Sequence, residues 1–530
     1  MKKIIRKISH YRTILILFGI IGIAVMFRYY RFYDWISFGM DQEYQALIAR
    51  NIVTGLHFPL IGVNVSDTGM YLGPLFSYFA ALLYFITGGN PAGWAFFSSL
   101  LGVVTTLVIY YVSKRLFSVR TGLFSSLLFG ASFLTSFYDR QFWNPVFIPI
   151  LSLLIGFSLW NLLLGKKNSV VSLAILFSIA LQCHYSIIIF VPLILGIVLV
   201  RWKKISIKEK TLSALIFFIF LCPILVFEFR HNGINTRAFI SLIRSTSSYS
   251  IVQKSPVSAH LLEFLSTAGR FFWVPLSPDL SVESGQCREL AFLKKNAFPE
   301  IIIITFIGIG LFFVWYIRNS KKRKSDSVNY RSAAAIAVIS GILCSTFIFV
   351  LLYPNTIFEY YYLYLFPWIA VILGKSLDYM MTWEHGSVIV FPIVFIFTAL
   401  NFLTLFTASM SYSYSDKIRT IDFVRSNLEN SNNYRLEAVG GCPKYGGYHY
   451  LFEHFINKPS ISYMDSYYSW LYQNPINNEK VDRIVLLSFI DPRLPLSQNQ
   501  QFIDERLEFL TSNKSIIEKQ FGKITINILK

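Results

Sequence analysis

The chain carries one apolar run of spanning length after another, near residues 13–32, 93–112, 120–138, 144–164, 168–183, 185–200, 210–229, 299–317, 331–353, 357–376 and 386–408. The hydrocarbon core of a bilayer takes about 20 such residues as one helix. Within it every backbone N–H and C=O must be bonded inside the segment or its closed sheet. About eleven such runs leave one fold class, an α-helical polytopic membrane protein. Composition agrees: only 15% of residues are charged, where soluble domains carry about 25%. The 31 Tyr and 10 Trp suit a chain with many membrane interfaces.

A further run, residues 71–87, is at the margin of spanning length and decides the topology. If it does not cross, the clusters Lys114-Arg115, Lys166-Lys167, Arg201 to Lys204, Lys321 to Lys324 and Lys375 all share one side with the basic N-terminus. If it crosses, all of them fall outside, against the positive-inside rule. Residues 71–87 are therefore expected to be re-entrant or interfacial. The N-terminus is expected to be cytoplasmic, an uncleaved anchor rather than a signal peptide, and the C-terminus extracytoplasmic in a multi-pass cell-membrane protein. The net charge of +19 is then mostly loop charge. Its clusters are short and separated by spans, which argues against nucleic acid and for the phosphates of membrane lipids as partner.

In this topology the external segments are 33–93, 138–145 and 230–299, the last with an amphipathic stretch from Ser258 to Trp273. A transmembrane domain, 1–410, is followed by a polar tail, 411–530. The tail has Asn-rich turns, a helical stretch from Thr420 to Leu428 and a strand-like run from Ile484 to Leu487. It reads as a small α/β or α+β extracytoplasmic domain. Cys183, Cys222 and Cys344 fall in apolar runs, whereas Cys287 and Cys442 face the oxidising side, where pairing is chemically open to them. No Cys or His spacing supports a metal, no Gly-rich phosphate loop is present, and no cofactor is expected.

The candidate chemistry gathers at the outer ends of spans. Asp41 and Glu43 lie just past the first span, in Phe38-Gly39-Met40-Asp41-Gln42-Glu43-Tyr44. A carboxylate there suits a general base that meets a membrane-bound substrate; the plain alternative is a helix cap and first-turn charge. Asp139 and Arg140 form a second charged turn, in Tyr138-Asp139-Arg140-Gln141-Phe142-Trp143-Asn144-Pro145. Charge between spans is costly unless used or paired, so it is either an interfacial ion pair or part of an anion site. His184, in Gln182-Cys183-His184-Tyr185, and Arg230-His231, which end a span, complete the set. Arg suits phosphate because its planar fork donates in pairs.

The order of these pieces resembles the lipid-linked-sugar glycosyltransferases of the GT-C superfamily, most nearly the protein O-mannosyltransferase-like family that includes the lipid A aminoarabinose transferase. The matching pieces are Asp41-Gln42-Glu43, Tyr71-Leu72-Gly73-Pro74-Leu75-Phe76, Lys114-Arg115-Leu116-Phe117, Arg140 to Pro145, Gln182 to Tyr185, Phe229-Arg230-His231 and Tyr361 to Pro367. They span roughly residues 10–410. Two departures stand out. Gln42 separates the acidic pair that the family carries side by side. No Lys precedes the Pro-containing motif at Tyr71 to Pro74, so its phosphate contact is assigned to Arg140 and Arg230.

The resemblance implies inverting transfer of a hexosyl or pentosyl group from a polyprenyl-phosphate donor at the extracytoplasmic face. The acceptor is a hydroxyl or amine of a glycan, lipid or protein. Asp41 is the implied base, with Glu43 and Asp139 as further catalytic candidates. Arg140, His184, Arg230 and His231 are the implied phosphate ligands. Tyr71, Tyr361 and Tyr362 are expected to line the lipid groove. Two other classes compete. A transporter or flippase of a lipid-linked substrate predicts polar groups near mid-membrane, and a non-catalytic scaffold predicts no convergence of Asp41, Asp139 and Arg230.

Overall fold

The computed structural model describes residues 2–65, 69–243, 255–275, 298–322, 327–410, 413–428, 433–472, 481–490 and 496–530. Among them, eight helices are long and apolar enough to cross a membrane: His10–Tyr29, Pro91–Leu116, Asn144–Leu163, Tyr185–Lys204, Ile207–Arg230, Pro299–Arg318, Tyr330–Leu352 and Gly386–Thr407. The other three expected spans are helical but short or broken. Ser169–Cys183 has 15 residues. The run at 120–138 divides into Val119–Gly130 and Phe133–Asp139. The run at 357–376 opens with a 3₁₀ turn, Glu359–Tyr362, and becomes α-helical only at Phe366–Met380, where Pro367 sits in the first turn.

The break at Ala131-Ser132 sits deep in protein, so its freed polar groups need partners. The Phe133 N–H donates to Asn401 Oδ1 at 2.8 Å, the Ser132 hydroxyl to the Phe271 carbonyl at 2.8 Å, and the Thr135 hydroxyl to the Phe129 carbonyl at 2.7 Å. Asn401 also donates to the Phe272 carbonyl at 2.8 Å. One buried amide thus ties the broken span to the amphipathic helix Val257–Phe272 and to the last span. The break aims the following turn, Arg140 to Asn144, back toward the first span.

The marginal run forms a 13-residue helix, Leu75–Thr87. At 1.5 Å per residue it reaches about 20 Å, short of a hydrocarbon core of about 30 Å. It packs along the helix Met40–Val53, with the Ser77 hydroxyl donating to Gln45 Oε1 at 3.1 Å.

The tail forms a mixed α/β domain. Its five strands are β1 (Tyr434–Val439), β2 (Ile461–Ser462), β3 (Arg483–Ser488), β4 (Ser515–Phe521) and β5 (Ile524–Leu529), in the order β2-β1-β3-β5-β4. β1 runs parallel to β2 and β3, whereas β5 runs antiparallel to β3 and β4. The middle strands are buried on both faces, as inner strands covered by helices should be: Leu436, Val485, Leu487 and Ile526 on one side, Val439, Leu486 and Leu529 on the other. The helix Leu496–Ser512 covers the second side with Phe502 and Phe509. Cys442, at the start of a short helix beyond β1, is disulfide-bonded; Cys287, with which the sequence leaves pairing open, lies outside the described residues. Cys183, Cys222 and Cys344 are free thiols.

The domain is fastened to the segment 33–93 that follows the first span. Lys417 Nζ donates to the Phe38 carbonyl at 2.6 Å, the Tyr450 hydroxyl to the Gly89 carbonyl at 2.7 Å, Asn51 Nδ2 to the Leu471 carbonyl at 2.8 Å, and the Met40 N–H to the Tyr445 carbonyl at 2.9 Å. Arg50 and Glu453 add an ion pair.

Candidate active site

The helix Met40–Val53 starts at Gly39, whose N–H donates to Gln42 Oε1 at 2.9 Å. Gly39, not Asp41, occupies the capping position, and Gln42 closes the turn. Its place between the two acids is therefore structural. Asp41 sits in the first turn, where its charge complements the helix dipole, and its side chain is exposed.

Glu43 faces the other way. It is wholly buried, accepting the Tyr450 N–H at 2.8 Å and the Tyr468 hydroxyl at 3.2 Å. Burial pushes its carboxyl up to about 7, against the pull of those two donors and of Lys417. Glu43 is thus a link to the tail domain.

Asp139 and Arg140 lie at the end of the broken span. Asp139 pairs with Arg28 at 2.6 and 2.9 Å, both groups almost fully buried. Gly102 makes room for the pair: a Cβ there would stand 2.3 Å from Asp139 Oδ2 and 2.5 Å from Arg28 Nε. Arg140 is fully buried and donates to the carbonyls of Phe27 and Arg28, the last turn of the first span, with its guanidinium 5.6 Å from the Trp35 ring. Cations belong at helix C-termini, so Arg140 caps the first span. Its Nη1 has no hydrogen-bond partner among the described residues.

The remaining candidates surround a hairpin in which Asn64 pairs with Tyr71. The Tyr71 carbonyl accepts the Tyr185 hydroxyl at 2.7 Å and Asn235 Nδ2 at 3.2 Å, and its N–H donates to Asn235 Oδ1 at 2.8 Å. Its ring packs on Phe227 at 5.8 Å. Gly73 runs beside Gln182, whose side chain a Cβ there would meet at 2.5 Å. His184 bonds to Ser186 Oγ at 2.8 Å and packs on Tyr360 and Tyr361 at 5.8 and 5.7 Å. Arg230 ends the helix Ile207–Arg230 and is exposed; His231 is also exposed, its Nδ1 lying 2.9 Å from the Phe227 carbonyl. Tyr361 and Tyr362 are both buried, Tyr362 completely, so they pack the protein interior rather than an open groove wall.

The segments 33–93 and 138–145 and the described residues 230–243 therefore meet in one layer. Gln45 Nε2 donates to Asn144 Oδ1 at 3.3 Å, joining the Asp41 helix to the Arg140 turn. Tyr71 and Asn235 join the hairpin to the His184 and Arg230 segments. The charges in the layer divide, however. Glu43, Asp139 and Arg140 are buried and engaged with protein, while Asp41 and Arg230 are presented to solvent.

Sequence reasoning missed Arg28, Gln45, Asn144 and one buried ionic cluster. Arg28 was visible as a charge closing an apolar run, which needs a partner. Asn144 lay inside one quoted motif and Gln45 one residue beyond another, and neither carries distinctive chemistry alone. In the cluster of Glu263, Arg270 and Glu359 the last two are fully buried and Glu263 nearly so. Arg270 pairs with Glu359, and with Glu263 at 3.1 Å; the Tyr138 hydroxyl donates to Glu359 at 2.7 Å. Among the described residues, no group of three or more His, Cys, Asp or Glu is arranged to hold a metal.

Three comparisons bear on this arrangement. Residues 72–227 match the family dolichyl-phosphate-mannose-protein mannosyltransferase. No curated protein matches the chain by sequence. The structure is similar to that of ArnT from Cupriavidus metallidurans bound to undecaprenyl phosphate, with a TM-score of 0.60 at 11% identity and 97% of each chain covered. The apo form of ArnT gives 0.52 at 11% identity over 98% of each chain. The apo oligosaccharyltransferase of Archaeoglobus fulgidus gives 0.50 at 12% identity, over 90% of this chain and 69% of the other. The chain therefore shares the fold of ArnT over nearly its whole length, and its residues 72–227 match the model of the dolichyl-phosphate-mannose-protein mannosyltransferase family.

Proposed function

We propose that this protein is a membrane glycosyltransferase that moves a sugar from a polyprenyl-phosphate donor to an acceptor hydroxyl or amine, with inversion, at the extracytoplasmic face. The observation that carries the proposal is the end-to-end likeness to a transferase fold whose solved example holds undecaprenyl phosphate. The layer of external segments seats candidate groups at the end of the spans, where a lipid-borne phosphate would stand.

In this reading the acceptor oxygen or nitrogen attacks the anomeric carbon as the bond from that carbon to the phosphate oxygen breaks. The acceptor proton passes to Asp41, and polyprenyl phosphate departs with the bonding electron pair. A phosphate leaves well as an anion, so no general acid is needed. Asp41 is favoured over Glu43 and Asp139 because a base must reach solvent and substrate, and those two are buried against Tyr450, Tyr468 and Arg28. Arg230 is favoured over Arg140 as phosphate ligand for the same reason: Arg140 already caps the first span.

The test is turnover by the purified protein in proteoliposomes holding polyprenyl-phosphate monosaccharides, hexosyl and pentosyl. The proposal expects release of free polyprenyl phosphate together with labelled acceptor. A transporter would instead move the intact lipid between leaflets without release, and that outcome would overturn the reading.

A further inference from the structure

On the face that the basic loops mark as cytoplasmic, a small open pocket of about 50 Å³ lies where four helices end or begin: Ile148–Leu163, Ser169–Cys183, Val191–Arg201 and Ile207–Arg230. Four cations line it, Lys166, Lys167, Arg201 and Lys204, with Glu209 as the one carboxylate. Glu209 is committed elsewhere. One of its oxygens accepts the Asn168 N–H at 2.6 Å; the other accepts the Ser206 N–H at 3.0 Å and hydroxyl at 2.8 Å. It caps two helix starts and pairs with none of the four cations in any described salt bridge.

Arg201 is the focal group. Its Nε is buried and has no hydrogen-bond acceptor among the described residues. Its Nη2 stands 2.5 Å from where a Cβ on Gly165 would lie, and Gly165 holds φ at +74°, so this turn is shaped to admit the guanidinium. Lys166 lies over the Trp160 ring at 4.9 Å, with Arg331 over the same ring at 5.6 Å. Burial, and then Arg331 and Arg115, push the Lys166 ammonium down from its ordinary value. Of the four cations only Lys167 is felt by Glu209, and a cluster in excess of its one carboxylate around a half-buried guanidinium whose Nε has no acceptor among the described residues calls for an anion with several acceptor oxygens. The rest of the wall is apolar, with Leu162, Val170 and Ile205, and the adjoining helix surface exposes Leu199 and Val200. A hydrated inorganic ion has no use for such a wall. A phosphate carried on a lipid does.

We propose that this pocket binds the headgroup phosphate of an anionic glycerophospholipid, with Arg201 and Lys166 on the phosphate oxygens and the acyl chains along Leu199 and Val200. The site is on the opposite side of the spans from the layer containing Asp41 and does not depend on the transferase proposal.

Native mass spectrometry of the purified full chain titrated with phosphatidylglycerol tests it. The wild type is expected to retain one lipid more tightly than the rest. Arg201→Gln, and separately Lys166→Gln with Lys204→Gln, should weaken that step roughly five- to tenfold per removed cation. The surface double variant covers the case in which Arg201→Gln fails to fold. Lys203→Gln is the control: it removes the same charge from the same face but does not line the pocket, and should leave the tight step unchanged. Equal weakening by Lys203→Gln would reduce the effect to general loop charge and overturn the proposal. So would unchanged binding in the pocket variants. Competition by millimolar inorganic phosphate would assign the pocket to a free ion and likewise overturn the lipid assignment.

Discussion

Glu43 is the most sharply testable side chain at the junction between membrane and tail domains. Its carboxyl titrates near 7 in the folded protein and near 4.5 unfolded, because burial opposes its charge more than Tyr450, Tyr468 and Lys417 favour it. The folded state therefore binds the proton more tightly. Below about pH 4.5 both states hold it and the acid has no cost. As pH rises from 4.5 through 7 the stability of the docked state falls, and above 7 the whole difference is lost. A shift from 4.5 to about 7 corresponds to about 3.4 kcal/mol, or roughly 300-fold in the docking equilibrium. Glu43→Gln keeps an acceptor for the Tyr450 N–H and removes the titration. His449, buried nearby and pushed down to about 3, chiefly by burial, loses its contribution as pH falls below 6.5, but it does so equally in both proteins. Hydrogen exchange of the segment Tyr448–Phe455, corrected for intrinsic rates, reports docking because the Tyr450 N–H is itself bonded to Glu43. Protection in the wild type should decline relative to Glu43→Gln between pH 5 and 8. Parallel pH profiles would refute the argument that Glu43 is a desolvated latch.

Three further outcomes are expected. Arg28→Ala or Asp139→Ala leaves a buried charge unpaired and should cost about 3 to 5 kcal/mol, read as a loss of folded protein in thermal unfolding. An Arg28→Met, Asp139→Leu double variant should regain most of it, whereas a folded but inactive double variant would return Asp139 to catalysis. Arg230→Ala should raise the donor KM roughly 10- to 100-fold with little change in kcat, as loss of a charge-assisted contact worth about 1.5 to 3 kcal/mol requires; an unchanged KM removes Arg230 from the phosphate site. For topology, an impermeant maleimide applied outside should label Ser426→Cys and not Lys208→Cys, and the reverse pattern would mean that the chain runs the other way through the membrane.

The spans were legible because a bilayer allows so few structures, and the tail domain because its strand at Arg483–Ser488 alternates with polar turns. The breaks were not. Nothing local marks Ala131-Ser132 as an interruption, since Asn401, 268 positions from Phe133 in sequence, supplies the acceptor that stabilises it. The acidic residues show the same limit. Asp41 and Glu43 are two positions apart and read alike, yet on a helix they point about 200° apart: one is exposed and the other meets Tyr450 and Tyr468. Arg140 looked like an anion ligand because its true acceptors are backbone carbonyls of the first span, which no motif records. Tyr362, in an aromatic run that reads as interfacial, is enclosed by Phe264 and its neighbours.

The central claim is that Asp41 is the base for transfer from a polyprenyl-phosphate sugar. Single-turnover transfer by Asp41→Asn, compared with wild type in the same proteoliposomes, tests it most directly, because the change removes the base and keeps the shape. The account predicts a loss of about 100- to 10,000-fold with donor binding and folding retained. Full transfer by Asp41→Asn would contradict it and leave Asp41 as a first-turn charge on its helix.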